Sequence, residues 1–327
     1  MRNNSRILLS LLALLLLLAA CVPVTPAETT SAEPEQPRLN VFTMGNVIAN
    51  HIYDIAGDHV IINRLVAQGT DPHHFEPTPS DITKLAEADM VIIRGASRPE
   101  AVRARLATIV GDPNKIVMLA PSTIDPNEYI YDDHGAIDLH LGGDPIFVIK
   151  FAGVIRDAMV DRDPDNADEY RANHDEYVAR IEALDAALHA VTASIPEENR
   201  QLYSYHNSFG YFARRYGYTI LGSIQPHDFS EPSAHDVAEV IDLLREKQLP
   251  AIFGSSFTPS TVMEQISRES GVPIVMLDDD DLPGVPGDLE HSYINMRVQN
   301  MTLISEALGG DPTLLEAIET RNVPDME

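Results

Sequence analysis

The sequence has no tryptophan, one cysteine and only four lysines among 327 residues. One cysteine excludes an internal disulfide. The lysines stand beside 19 arginines and 50 acidic residues, and the formal charge is −27. That balance excludes nucleic acid as a partner, because phosphate backbones require a basic footprint. A diffuse acidic surface is compatible with attracting cations and also keeps a protein soluble. The chain lacks G-x-S-x-G, a P-loop and a dinucleotide fingerprint, so nucleophilic hydrolysis and nucleotide binding have no sequence support. Neither C-x-x-C nor H-E-x-x-H occurs, so no local zinc motif is present.

What the chain does have begins with an N-terminal address. Arg2 and Arg6 precede the apolar run Ile7–Ala20, which is too short to span a bilayer and fits a signal-peptide core. The run ends in Leu18-Ala19-Ala20-Cys21, which contains the only cysteine. This arrangement resembles a bacterial lipoprotein signal, so residues 1–20 are expected to be removed and Cys21 to be lipidated. Residues 21–37 form the lipidated cysteine and a tether. Val22–Pro37 holds four prolines and three glutamates with few apolar residues, a composition that does not build a core. The expected location is outside the cytoplasm, held to the cell membrane by lipid.

From Leu39 onward, short apolar runs alternate with amphipathic helical patterns. The runs Leu39–Thr43, Val60–Val66, Met90–Ile93 and Ile116–Leu119 read as strands. Helical patterns lie near Val47–Ile55, Pro79–Glu87 and Pro99–Ile109. Such alternation predicts βαβ units around a mostly parallel sheet. A further helix is expected over about Pro145–Val160. Asn166–Ser194 then runs without glycine or proline, and Ala167, Tyr170, Tyr177, Ile181, Leu184, Leu188 and Val191 fall on one stripe. The alternation resumes with strands at Gln201–Tyr205, Thr219–Ile224, Ala251–Gly254 and Pro273–Leu277. Helices are expected between and after them, near Phe209–Tyr216, Ser233–Lys247, Pro259–Ser270 and His291–Leu308. The expected fold class is therefore α/β: two α/β lobes, each with a mostly parallel sheet, joined by one long backbone α-helix. The lobes are assigned to 38–163 and 196–327, and the linker helix to 164–195.

The stretch GTDPHHFEPTPSD, Gly69–Asp81, concentrates chemistry. Its three prolines stiffen it, and Thr78-Pro79-Ser80-Asp81 reads as a capping box opening a helix. It thus presents an imidazole pair, His73 and His74, on a rigid turn. Three other positions follow strand or turn signals and carry metal-ligating atoms: His140 in AIDLHLGG, His206 in LYSYHNSFGYF, and an aspartate in LDDDDLPG. Each has an ordinary structural explanation when taken singly, as a turn histidine, a buried histidine or a solvated acidic turn. Taken together they would bring one ligand from each of four loops to the carboxyl ends of parallel strands, where ligands bind in α/β folds.

The chain resembles the metal-binding solute-binding lipoproteins of ABC transporters for zinc and manganese, from about Leu39 to Gly309. Gly57-Asp58 through Asp81 follows the pattern G-D-x-V…L-V…G-x-D-P-H-x-[FY]-E-P-[ST]-P-x-D. Tyr205-His206-Asn207-Ser208-Phe209-Gly210-Tyr211-Phe212, with Tyr216-Gly217, follows Y-H-x-[AS]-[FY]-x-Y-F…Y-G. Asp280-Asp281-Leu282-Pro283-Gly284 and Ser292-Tyr293-Ile294 with Met296 resemble D-[SA]-L…[ST]-Y-[IL]-x-M. There are departures. Asp138-Leu139-His140-Leu141-Gly142 lacks the proline and aromatic of D-P-H-x-W. Asn207 stands where Asp is common. Ile252–Ser256 lacks a glutamate often found there, and the histidine-rich loop of many zinc importers is missing, with only His134 in its place.

The resemblance implies a fold of two α/β lobes on a backbone helix and a metal site made of His73, His140, His206 and Asp280. Asp281 is the alternative fourth ligand if the loop is aligned without a gap. It implies no catalytic residues. Three imidazoles and one carboxylate suit Zn²⁺ in a closed tetrahedral site, with Mn²⁺ as the alternative. Manganese members of the resembling family often carry glutamate at the position of His206. The implied partners are the divalent metal ion, an ABC permease and, through the lipid anchor, the membrane. The expected state is a monomer. The competing readings are a metal-dependent hydrolase and a surface adhesin stabilised by metal.

Overall fold

The computed structural model describes residues 38–67, 76–131, 135–225, 232–255, 260–278 and 292–320. Residues 38–327 belong to one compact unit. The signal segment, Cys21 and the tether lie outside the described residues, as do His73, His74, His134, Asp280 and Asp281.

Among the described residues, eight strands form two sheets of four. The first sheet contains β1 (Leu39–Thr43), β2 (Val60–Arg64), β3 (Met90–Ile93) and β4 (Ile116–Met118) in the order β2-β1-β3-β4. The second contains β5 (Gln201–His206), β6 (Thr219–Gln225), β7 (Ile252–Ser255) and β8 (Ile274–Leu277) in the order β6-β5-β7-β8. Every pairing within these two sheets is parallel. The two halves thus repeat one topology, although their sequences show no repeat. In each, the chain leaves a central strand first to one side and then to the other, which opens a crevice at the carboxyl ends of the strands.

Strand alternation decides which layer each side chain enters. Val41, Met90 and Ile92 join a central core, while their neighbours Phe42, Val91 and Ile93 face an outer cluster. This outer cluster is closed by α2 (Pro79–Glu87) and α3 (Pro99–Val110) through Leu85 and Val110. The second sheet has its own outer cluster, made by Tyr203, Tyr205 and Ile252 against α8 (Ala234–Lys247) and α9 (Ser260–Ser270). The central core takes in α1 (Asn46–Ala56), α5 (Pro145–Arg162), α6 (Ala167–Ser194), α7 (Gly210–Tyr216) and α10 (Tyr293–Leu308).

Helix α6 is the long connector expected from the glycine- and proline-free stretch. Its 28 residues imply a length of roughly 42 Å at 1.5 Å per residue. The buried positions Tyr170, Tyr177, Ile181, Leu184, Leu188 and Val191 belong to the stripe read from the sequence, whose first member, Ala167, is only part-buried. It packs on α5, α1 and α10, and one core runs through both lobes. The capping box on α2 also forms: the Asp81 amide donates to Thr78 Oγ1 at 3.3 Å, and the Thr78 amide donates to Asp81 Oδ2 at 2.8 Å.

Several boundaries shift by one or two residues from expectation: β2 ends at Arg64 and not Val66, and β5 and β6 extend to His206 and Gln225. The run Ile116–Leu119 is strand only to Met118, and Leu119 opens a short helix, α4 (Leu119–Thr123). Ser122 and Thr123 donate their hydroxyls back to the carbonyls of Met118 and Leu119 at 2.7 and 2.8 Å. Those side-chain bonds favour the turn over continued strand.

Candidate metal site

His206 is the last residue of β5, the central strand of the second sheet. His140 lies in the connection before α5, at the start of a single 3-10 turn over Leu141–Gly143. They are 66 residues apart in sequence, yet their Nε2 atoms lie 3.2 Å apart, with ring centroids at 5.0 Å and ring planes at 70°. Two nitrogens bound to one zinc at about 2.0–2.1 Å and the tetrahedral angle would be separated by about 3.3 Å. The observed 3.2 Å spacing matches two donors on one small metal ion and is equally that of a hydrogen bond between the two rings.

The orientation of His140 is determined by Asp138. His140 Nδ1 lies 2.7 Å from Asp138 Oδ1, and the His140 amide donates to the same oxygen at 2.9 Å. A carboxylate can only accept, so the proton sits on Nδ1 and the Nε2 lone pair faces His206. The side chains of His140 and Asp138 are 12% and 10% exposed, which shields this pair from competing water. Gly210 explains how Asp138 is accommodated: a Cβ there would lie 2.6 Å from Asp138 Oδ2. A larger residue at the start of α7 would force the Asp138 carboxylate to shift.

The loop carrying His140 departs from the proline-and-aromatic pattern of the resembling family, and the structure shows what holds it instead. The Asp138 amide donates to Ile130 O at 2.9 Å. Tyr211 Oη donates to Asp138 O at 3.0 Å and accepts from the Ile130 amide at 3.1 Å. Arg94, just past β3, donates to Leu139 O. Tyr293 Oη, from α10, donates to Gly142 O at 2.8 Å. Residues from both lobes thus fasten the loop by its backbone carbonyls, which requires no particular side chains in the loop itself.

A buried network lies behind these contacts. The Tyr293 amide donates to Asn50 Oδ1 at 2.8 Å, Asn50 Nδ2 donates to Asp54 at 2.9 Å, and Asp54 pairs with Arg180 at 3.2 Å. His51 shares a 2.7 Å hydrogen bond between its Nδ1 and Tyr177 Oη. Burial, aided by the positive charge of Arg94, pushes the His51 pKa down to about 3, so this imidazole is neutral and structural.

Of the four residues expected to bind metal, the structure brings His140 and His206 together, and His73 and Asp280 fall outside the described residues. Among the described residues, no group of three or more His, Cys, Asp or Glu forms a metal cluster. Asp138, Gly210, Tyr211 and Tyr293 were not singled out as site residues by sequence. Only Asp138 carried a usable signal, its D-x-H spacing to His140. Among the described residues, no helix is long and apolar enough to cross a membrane.

Comparison with known proteins agrees with this architecture. Residues 41–307 match the family model described as zinc-uptake complex component A, periplasmic. The manganese-binding lipoprotein MntA of Halalkalibacterium halodurans is 30% identical over 275 residues, covering 84% of this chain and 90% of that protein. The iron-binding protein YfeA of Yersinia pestis is 28% identical over 294 residues, covering 89% of this chain and 91% of that protein. Among solved structures, the periplasmic zinc-binding protein TroA from Treponema pallidum superposes with a TM-score of 0.75 at 26% identity. That superposition covers 83% of this chain and 99% of that one.

Proposed function

The chain belongs to the family of periplasmic zinc-uptake component A proteins, and on that footing we propose that it captures a divalent transition metal outside the cytoplasm and hands it to an ABC permease. The observation that carries the reading is the pair of Nε2 atoms, one from each half of the molecule, 3.2 Å apart. His73 and Asp280 complete the ligand set in this proposal, with Asp281 the alternative to Asp280. Zinc is the preferred cargo because three neutral imidazoles and one carboxylate match its donor preference, whereas manganese favours more oxygen ligands. The relatives are named for manganese, iron and zinc, which supports the metal class.

The same proposal assigns 38–163 and 196–327 as lobes on the 164–195 linker, and it treats the protein as a monomer anchored through lipidated Cys21. A hydrolase would need an open metal position and a nearby general base. Asp138 is already bonded to a ligand histidine and offers no such base.

Calorimetric titration with Zn²⁺ tests the site, using wild type beside His140→Ala and His206→Ala. Each variant should lose most of the affinity, and unchanged binding in both would sink the assignment. Elemental analysis of protein purified without chelator, followed by zinc–manganese competition, identifies the cargo. Binding needs unprotonated imidazoles, so affinity should fall as pH drops through the histidine range.

A further inference from the structure

The segment that carries His140 precedes the linker helix in sequence, but it is docked on the second lobe. Helix α7 begins at Gly210, four residues after His206, and the Ser208 amide closes the turn between them by donating to His206 O at 3.0 Å. That helix lies along residues 128–144. Arg214 donates to Glu128 O at 2.6 Å, and Arg215 lies 3.4 Å from Asp144 Oδ1. The two backbones approach closely, because a Cβ at Gly210 would lie 2.6 Å from Asp138 Oδ2 and one at Gly143 would lie 3.1 Å from the Phe212 amide nitrogen.

Tyr211 sits at the centre of this contact. It is fully buried, and burial pushes its pKa up to about 12, so its hydroxyl keeps its proton. The hydroxyl donates to Asp138 O at 3.0 Å and accepts from the Ile130 amide at 3.1 Å. The Asp138 amide also donates to Ile130 O at 2.9 Å, and Tyr131 and Ile137 form an antiparallel bridge. One hydroxyl therefore fastens both ends of residues 130–138 to α7. Asp138 in turn orients His140 through Nδ1. Phenylalanine could not reproduce this, since it would leave a buried amide and a carbonyl without their partner. Arg94, from the first lobe, donates to Leu139 O and is the competing anchor.

We propose that Tyr211 is a positioning residue for metal binding: by docking the Asp138–His140 segment on α7, it holds His140 opposite His206. The effect on metal affinity rests on the metal site proposed above. The docking itself does not, so the two are measured separately.

The docking is read in chelator-treated protein labelled with ¹⁵N-histidine. The His140 Nδ1 proton should be protected from solvent exchange in wild type and should exchange about 10-fold faster in Tyr211→Phe. Calorimetry and transfer of zinc to a chelator give the second readout. Tyr211→Phe should bind Zn²⁺ about 10-fold more weakly, chiefly through faster dissociation. Leu244→Ala is the control for general destabilisation, because Leu244 is fully buried in the outer cluster of the second sheet. It should keep wild-type zinc affinity and proton protection. Wild-type proton exchange in Tyr211→Phe overturns the proposal, as does an equal effect in Leu244→Ala. Wild-type zinc affinity in Tyr211→Phe, with affinity lost in His140→Ala, overturns it as well. If Tyr211→Phe does not fold, Gly143→Ala, which pushes the same segment off Phe212, takes its place with the same expected outcomes. Unchanged zinc affinity in His140→Ala would instead sink the metal assignment, and the His140 proton exchange would then decide the docking alone.

Discussion

A histidine that binds metal through Nε2 must keep its proton on Nδ1, and in this chain that proton is directed to Asp138. Replacing Asp138 with Asn removes the charge that fixes the tautomer, and metal affinity should fall about 10–100-fold. Calorimetry measures the loss, and an unchanged unfolding midpoint of the metal-free variant would separate it from general damage. Gly210→Ala should act in the same direction, because its Cβ would displace the Asp138 carboxylate. His51 offers a pH prediction. Its pKa is pushed down to about 3 in the folded protein, against an ordinary value of about 6.5 in the unfolded chain. Between those values the unfolded state binds the extra proton, so stability is fully present above pH ~6.5 and falls by up to about 1.4 kcal/mol per pH unit as pH drops toward 3. Urea unfolding of metal-free wild type and His51→Gln should show a shallower acid slope in the variant. Equal slopes would show that His51 contributes nothing to acid lability.

At the level of elements, α6 is held by its buried stripe. Its first turn carries Asp168 and Glu169, which suit a helix N-terminus, but such terms are small beside burial of seven side chains along it. Leu184 is fully buried at the middle of that stripe, where α6 meets a core shared with both lobes. Leu184→Ala should cost about 2–5 kcal/mol by chemical denaturation. A loss below about 1 kcal/mol would mean that the site collapses freely around the cavity. Helix α2 is different, since only Leu85 is buried along it, so its cap carries more of the local stability. Thr78→Ala should cost about 1 kcal/mol and speed amide exchange at the start of α2 more than in α6.

For the molecule as a whole, the shared core limits how the lobes can move. The central cluster joins Val41 and Met90 of the first sheet, Tyr177 and Leu184 of α6, and Leu202 and Phe253 of the second sheet. A wide swing of one lobe would open this packing, and packed cores are bistable rather than continuously deformable. Metal capture and release should therefore proceed through movement of the ligand-bearing loops, with little change in overall dimensions. Small-angle scattering of metal-free and zinc-loaded protein should give the same radius of gyration within error. A reproducible contraction on loading would show that the lobes close as rigid bodies.

Much of this was legible in the residues. Apolar runs of period two and helical stripes near period 3.6 are local patterns, so all eight strands and the α6 stripe were readable, as was the capping box at Thr78-Pro79-Ser80-Asp81. The imidazoles of His140 and His206 were legible as residue types at loop positions, and the family resemblance joined them into one site. What the sequence could not carry was contact between distant segments. Nothing near His140 announces that Tyr211, Arg94 and Tyr293 hold its loop, that Gly210 leaves space for Asp138, or that Arg297 lies buried over the Phe212 ring. Those facts arise only when two sheets of identical topology are set against one helix, which places loops 66 residues apart within 3.2 Å. Periodicity along a chain determines which elements form. Side-chain packing between elements decides which of their atoms meet, and it is there that the meeting of His140 and His206 was settled.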